Sequence, residues 1–383
     1  MKHKIIFFVK DFIVGGVEQV LVSAVNTLVE NGHDVLIVWT GYVEDNFMLH
    51  KIDKRIKQIY TSKIWHLVGK EKPKGCFAKF LWHAKQNLNL YMLRFIGKHI
   101  PDFSSYDYLI DFKNGSSKIF NIPLEKTQKR VAWIHGAFSR FYKKNKFKTY
   151  KLNSFDTVVC LTESFKKQYI EKYPHLKEKI QVVRNPFAIE DIKNKANDTD
   201  EELTKYVPYF LHVARVDDAK DILTALKGYK KFYEKTKSDK KLVFLGNGNL
   251  LEYYKQWVSD NNLTDKVFFL GNRANPFVWM KNSEALLLSS FNEGLPTVLI
   301  EGQICETLVI SSNCEDGPDE ILENGKSGVL FKVGDYEDLA QVLTNYENGL
   351  IDRKALIENA NKSLYRFAKE EFEKQIVQSV LKQ

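Results

Sequence analysis

The sequence predicts an α/β chain of two doubly wound domains, each built on a parallel sheet. Three observations predict it. Short apolar, β-branched and aromatic runs alternate with helical stretches, this alternation occurs twice, and a polar, charged stretch separates the two sets. At 383 residues, with 44% hydrophobic and 27% charged residues, the chain is long enough for two separate cores.

In the first half the strand-like runs are Ile5–Val9, Val35–Trp39, Tyr106–Phe112, Arg130–Ile134, Thr157–Leu161 and Ile180–Val183. Apolar runs of this length, bounded by turn residues, read as strands buried on both faces. Between the first two, Val17, Val20, Leu21, Ala24 and Leu28 share one helical face, and Asn31-Gly32 ends the helix. Glu190 to Lys205, with Lys-Asn-Lys-Ala-Asn-Asp-Thr-Asp-Glu-Glu at its centre, is too polar for a core and marks a boundary between domains at 1–190 and 191–364. The second set is Tyr209–Ala214, Lys241–Leu245, Lys266–Leu270, Ala285–Leu288, Thr307–Ser311 and Gly328–Phe331. The last stretch, Arg353–Gln383, reads as two helices, the second with Phe367, Phe372, Ile376, Val377 and Val380 near helical spacing.

No apolar run approaches the roughly 20 residues that cross a bilayer. The first residues, Met1-Lys-His-Lys-Ile-Ile-Phe-Phe-Val, read as a buried strand rather than a secretory signal. Cys76, Cys160, Cys305 and Cys314 are scattered without CxxC spacing, the pattern of reduced structural thiols in a cytoplasmic protein. With no zinc-type cluster and no metal-binding Asp-x-Asp context, no metal and no cofactor are expected, and Asp217-Asp218 fits helix capping. Gly246-Asn-Gly248 lacks the third glycine of a dinucleotide fingerprint.

The net charge is +9, unevenly spread. Residues 1–190 hold 32 Lys and Arg against 17 Asp and Glu, a net of +15; the remainder holds 25 against 31, a net of −6. Within 63–99, Lys63, Lys70, Lys72, Lys74, Lys79, Lys85, Arg94 and Lys98 mix with Trp65, Phe77, Phe80, Leu81, Trp82, Tyr91, Leu93 and Phe95, and Lys143, Lys144, Lys146 and Lys148 form a second cluster. Cations interleaved with aromatics suit an interfacial helix on an anionic membrane surface. A nucleic-acid partner is not expected, because no recognisable module and no continuous basic stripe occurs.

Chemistry concentrates in Ser289-Ser-Phe-Asn-Glu-Gly-Leu-Pro-Thr-Val-Leu-Ile-Glu301. Glu293 and Glu301 stand seven residues apart around Gly294-Leu295-Pro296-Thr297, directly after the strand-like run Ala285–Leu288. A turn leaving a strand and opening a helix aims backbone N–H groups at one spot, which suits a phosphate. Glu301, two helical turns after Glu293 on the same side, can accept hydrogen bonds from sugar hydroxyls. Arg215 ends the strand Phe210–Ala214 and Lys220 follows five residues on, where Asp217 or Asp218 can cap the next helix. Two fixed cations at a strand's carboxyl end would stabilise a departing diphosphate. Gly15 and Gly16 follow the first strand and let backbone approach a bound group. His135 ends Val131-Ala-Trp-Ile at the carboxyl end of a strand, whereas His212, inside one, reads as a core residue.

Phe-x-Glu-Gly-Leu-Pro-x-x-Leu-Ile-Glu resembles the Glu-x7-Glu motif of the retaining glycosyltransferases of family 4, which have the GT-B fold. The resemblance continues through Phe210–Lys220, Leu242–Gly248, Val267–Gly271 and Gly317–Gly328, and thins to Gly15-Gly16, His135 and Asn185-Pro186 in the first half. It implies two Rossmann-like domains facing a central cleft, the first binding the acceptor and the second the donor, with the last helix (about 365–383) joined to the first domain. It implies transfer of a hexosyl or N-acetylhexosaminyl group from a nucleotide diphosphate sugar, UDP-linked by base rate, without a metal. The acceptor would be a lipid-linked or cell-surface glycan such as lipopolysaccharide, capsule or O-antigen, handled peripherally at the inner face of the cell membrane. Glu301 would hold the ribose hydroxyls and Arg215 and Lys220 the diphosphate. Glu293, with the backbone of Gly294, Leu295, Pro296 and Thr297, would hold the sugar and β-phosphate. His135 would approach the sugar from the other domain. Gly246, Asn247 and Arg273 would border the base and ribose, and Gly15 and Gly16 the diphosphate or acceptor. A GT-B nucleotide-sugar epimerase and a noncatalytic basic scaffold or nucleic-acid-binding protein are the alternatives.

Overall fold

The computed structural model describes residues 2–13, 15–46, 48–60, 75, 77–79, 81, 84, 100, 102–112, 128–136 and 152–381. Of the basic and aromatic stretch at 63–99 only Phe77, Lys79 and Leu81 among the residues named above fall within that set. The cluster Lys143 to Lys148 and Cys76 lie outside it. The chain divides into two units, one of Met1–Phe187 with Lys369–Gln383 and one of Ala188–Ala368.

Among the described residues, unit 1 is a seven-stranded sheet of β1 (Lys4–Val9), β2 (Asp34–Trp39), β3 (Lys57–Tyr60), β4 (Tyr108–Asp111), β5 (Lys129–Trp133), β6 (Thr157–Cys160) and β7 (Ile180–Val182). The spatial order is β3-β2-β1-β4-β5-β6-β7, and every pairing is parallel. Order reverses between β1 and β4, so the crevice at the carboxyl ends opens there. Phe7, Phe8, Ile37, Ile110, Val131 and Val158 are buried, as strands covered on both faces require. β3 has no counterpart in the expected set. It is an edge strand whose residues, Lys-Gln-Ile-Tyr, are half-buried at most, so it writes no apolar run. The last helix, Lys369–Ser379, buries Phe372 and Ile376 and is tied to this unit by Lys369 Nζ to Glu30 Oε2 (3.1 Å) and Arg184 N to Gln375 Oε1 (2.9 Å).

Unit 2 is a six-stranded parallel sheet of β8 (Tyr209–Val213), β9 (Lys241–Leu245), β10 (Val267–Phe269), β11 (Ala285–Leu288), β12 (Val309–Ser312) and β13 (Val329–Phe331), in the order β10-β9-β8-β11-β12-β13. Here the switch point lies between β8 and β11, paired through Phe210 with Ala285, Leu211 with Leu286 and His212 with Leu287. Phe210, Leu226, Phe232, Leu242, Leu287, Ile310, Leu339 and Leu343 lie in one buried cluster joining the sheet to the helices Ile222–Thr236 and Tyr336–Glu347. The polar stretch from Glu190 is folded rather than extended: it forms the helix Ile189–Ala196 and a 3-10 turn, Glu201–Lys205. Its polar groups bond to this unit, with Asn275 Nδ2 donating to Lys195 O and Asp198 Oδ2 (both 2.8 Å) and Trp279 Nε1 to Asp200 Oδ2 (2.8 Å). Among the described residues no helix is long and apolar enough to cross a membrane.

Candidate functional site

Because β8 and β11 flank the switch point, the two segments leaving them meet there. After β8, Ala214 to Val216 run beside the loop that leaves β9. Ala214 N donates to Leu245 O and Val216 N to Asn247 O, both at 3.1 Å. A Cβ on Gly246 would lie 1.9 Å from Ala214 O, and its φ is +135°, so glycine is required by the contact of the two loops. Gly246 N also donates to Gly271 O at 2.8 Å, joining the loop after β10. That loop carries Arg273, whose Nη2 sits 2.9 Å from Glu202 Oε2 and whose guanidinium lies over Trp279, 5.6 Å from the ring centroid. The charge of Arg273 is therefore matched by Glu202.

Asp217 caps a one-turn 3-10 helix, Asp218–Lys220, accepting from Ala219 N at 3.2 Å. The long helix Ile222–Thr236 is capped instead by Asp221, which takes φ +45° and accepts from Thr224 N at 3.4 Å. The capping expected of Asp217 or Asp218 is met by Asp217 on the short helix and does not extend to the long one, because a left-handed residue separates the two. Aspartate is among the few side chains that enter this region readily.

The structure brings Lys220 and Glu293 together and pairs Arg215 with Asp217. Lys220 Nζ lies 2.5 Å from Glu293 Oε1, with side-chain exposures of 20% and 12%. Ser290 Oγ donates to the same carboxylate oxygen at 2.6 Å. Arg215 is 71% exposed and faces Asp217 at 3.3 Å.

Serines fix the turn after β11. Ser312 Oγ donates to Ser290 O at 2.7 Å, and Ser289 Oγ reaches Lys220 O at 3.0 Å and Asp221 O at 2.9 Å. Main-chain bonds add to this, from Phe291 N to Ala219 O (3.1 Å) and Glu293 N to Glu315 O (3.4 Å). His212 Nε2 lies 3.2 Å from Ser289 Oγ. Burial, assisted by the charge of Lys220, lowers the His212 pKa to about 3. The reading of His212 as a core residue thus needs an addition: it is buried and it contacts Ser289, whose hydroxyl reaches the main chain of Lys220.

The helix after the turn spans Thr297–Ile304. Glu293 is consequently a turn residue rather than a member of the same helical face as Glu301, which corrects that expectation. Glu301 is buried on the helix. Pro296 occupies the N-cap and supplies no side-chain cap; Leu299 N donates to Pro296 O at 3.1 Å, and the N–H groups of Thr297 and Val298 remain for an anion. Cys314, close enough to Glu293 to feel its charge, is pushed up to about 12, chiefly by burial.

In unit 1, His135 follows β5. Its ring stacks on Trp133 (6.0 Å, 6°) and lies 4.4 Å from Phe112, while Trp133 stacks on Phe372 of the last helix (6.1 Å). Gly15 is the extended N-cap of the helix Gly16–Glu30, which begins at Gly16. A Cβ on Gly15 would lie 2.8 Å from Glu18 Oε2. Sequence reasoning missed buried Glu18, although its spacing gives the signal: in Gly15-Gly-Val-Glu18 the acid stands at the third helical position, where a carboxylate reaches back over the N-cap.

Residues 193–363 match the family model described as glycosyl transferases group 1. Unit 2 carries a glycosyl transferases group 1 domain. The chain is similar to an uncharacterized glycosyltransferase of Methanocaldococcus jannaschii, 27% identical over 63% of this chain and 64% of that protein. It is also similar to N-acetylgalactosamine-N,N'-diacetylbacillosaminyl-diphospho-undecaprenol 4-alpha-N-acetylgalactosaminyltransferase of Campylobacter jejuni, 29% identical over 43% of this chain and 44% of that one. The chain thus spans less than two thirds of the length of either relative. In fold it is similar to Staphylococcus aureus TarM, crystallised with fondaparinux, alpha-GlcNAc-glycerol and UDP, at a TM-score of 0.77 and 15% identity over 98% of this chain and 99% of that one. The glycosyl transferases group 1 domain and its companion unit have the GT-B fold.

Proposed function

We propose that the chain is a retaining, metal-independent glycosyltransferase of family 4. It moves a hexosyl or N-acetylhexosaminyl group from a UDP-sugar to a lipid-linked or cell-surface glycan of the lipopolysaccharide, capsule or O-antigen kind. The observation that carries this reading is the Lys220–Glu293 pair, held at the switch point of unit 2 beside a helix N-terminus without a side-chain cap. The name of the Campylobacter relative, which acts on a diphospho-undecaprenol-linked glycan, supports the acceptor class, and UDP in the TarM crystals supports the nucleotide.

In this reading unit 2 binds the donor. Lys220 and Arg215 face the diphosphate, the backbone of Gly294 to Thr297 receives the β-phosphate, Glu293 orients the sugar and Glu301 accepts from the ribose hydroxyls. Asn247 and Arg273 border the base. His135, Gly15 and Gly16 are the contributions of unit 1, which binds the acceptor. The acceptor oxygen attacks the anomeric carbon on the face from which the phosphate departs. The bond from that carbon to the β-phosphate oxygen breaks with its electron pair, and the same phosphate takes the acceptor's proton. Two cations near the departing diphosphate supply the charge stabilisation that a metal gives elsewhere. Exposed Phe77 and Leu81, one helical turn apart beside Lys79, support contact with the inner face of the membrane.

A thermal-shift screen of UDP, GDP, ADP, TDP and their sugars, with and without EDTA, tests the donor assignment. A ligand at a hundred times its dissociation constant stabilises by roughly 2.7 kcal/mol. The reading expects stabilisation by UDP and one of its sugars, unchanged by EDTA; no shift with any nucleotide overturns it.

A further inference from the structure

We propose that His212 and Ser289 are positioning residues for Lys220: the imidazole fixes the Ser289 hydroxyl, the hydroxyl fixes the main chain at Lys220 and Asp221, and the ammonium is thereby held ready for a phosphate oxygen. The proposal rests on the reading that Lys220 grips a diphosphate.

The direction of each hydrogen bond follows from counting protons. Lys220 O and Asp221 O only accept, so the single proton of Ser289 Oγ is shared between them at 3.0 and 2.9 Å. Ser289 Oγ must then accept from His212 Nε2, 3.2 Å away. A histidine whose pKa lies near 3 is neutral at physiological pH and carries one N–H, so this contact fixes its proton on Nε2. The chain of donors therefore runs one way, from β8 through Ser289 into the backbone that carries Lys220.

Both residues are 1% exposed, so water does not compete for these bonds. The parallel register pairs His212 with Leu287, which places Ser289 just past the end of β11 on the neighbouring strand. The segment they hold needs holding. Asp221 sits at φ +45°, a conformation that costs an aspartate free energy, and Lys220 ends a helix of only one turn. Removing the Ser289 hydroxyl would leave Lys220 O without that donor, while Asp221 O keeps Thr224 N at 3.1 Å, and removing the imidazole would leave the hydroxyl unfixed; either change frees the Lys220 backbone to move, while Glu293 and the helix Thr297–Ile304 are retained.

Calorimetry with UDP, and ligand-observed NMR with uridine, separate positioning from general damage, because uridine has no phosphate for Lys220 to grip. Ser289→Ala and His212→Phe are expected to weaken UDP about tenfold and to leave uridine unchanged. Ser289→Thr and His212→Gln, which keep a hydroxyl and an Nε2 donor, are expected to restore UDP binding to within about threefold of the parent. In a Lys220→Ala background, Ser289→Ala should cause less than about twofold further loss, since the residue it positions is gone. Equal weakening of UDP and uridine, or UDP binding by Ser289→Ala that matches the parent, overturns the proposal alone. A parent protein that binds no nucleotide overturns it together with the reading beneath it.

Discussion

Replacing Lys220 with alanine, in the absence of any ligand, should loosen the turn after β11 far more than replacing Arg215. The two nitrogens differ in what surrounds them. Lys220 Nζ is 2.5 Å from Glu293 Oε1 in a pair with exposures of 20% and 12%. At an effective dielectric of about 20, unit charges at that distance attract by about 6–7 kcal/mol before desolvation is subtracted. Removing one partner of a fully buried pair costs about 3–5 kcal/mol, and for this partly exposed pair about 2–3 kcal/mol is the working figure. Ser290 Oγ still donates to Glu293, so the carboxylate is not wholly abandoned. Arg215, 71% exposed beside Asp217, should matter by well under 1 kcal/mol. Hydrogen–deuterium exchange over 289–304 reads local opening directly. Lys220→Ala should speed exchange there by roughly 30- to 150-fold, and Arg215→Ala by less than about threefold. Equal acceleration by both variants, or none by Lys220→Ala, would mean that the Lys220–Glu293 pair does not hold the turn.

Asp221 offers a pH test. Burial raises its pKa above the ordinary 3.8, so its ionised form costs folded stability once pH exceeds that value. Asp221→Asn, which can still cap Thr224 and tolerate a left-handed backbone, should therefore stabilise at pH 7, and in urea titrations the gain should shrink as pH falls toward about 4 and be gone below it. Asp221→Ala loses the cap and keeps the unfavourable φ, and a melting curve should show it destabilised by about 2 kcal/mol. Gly246→Ala places a methyl 1.9 Å from Ala214 O at a positive φ and should lower the melting temperature sharply or leave the protein insoluble. Cys160, Cys305 and Cys314 are buried, and Cys305 and Cys314 are pushed up to about 12, so a Cys76→Ser variant should show no thiol reactive toward a disulfide reagent until it is unfolded.

The buried strands are legible in the sequence because parallel strands covered on both faces write near-continuous apolar runs, as Ile5–Val9 and Ala285–Leu288 do. β3 is not, since an edge strand is free to carry Lys57 and Gln58, the latter accepting from Trp39 Nε1 at 2.9 Å. Glu293 and Lys220 are legible as chemistry because each follows a strand that ends at the switch point. Their contact with one another spans 73 residues and depends on which strands become neighbours, which periodicity does not encode. The same holds for His212 and Ser289, 77 residues apart, and for Arg273, whose pairing with Glu202 links a loop to a turn that reads only as polar linker. Asp221 escapes notice for a local reason: three acids, Asp217, Asp218 and Asp221, compete for the cap, and only the backbone reversal at the third decides between them.

A crystal structure of the protein with UDP shows whether Lys220 and the turn after β11 bind the diphosphate. The diphosphate is expected within hydrogen-bond distance of Lys220 Nζ and the first-turn N–H groups after Pro296, with the ribose hydroxyls at Glu301. UDP bound away from the carboxyl ends of β8 and β11, with Lys220 still turned only toward Glu293, would contradict it.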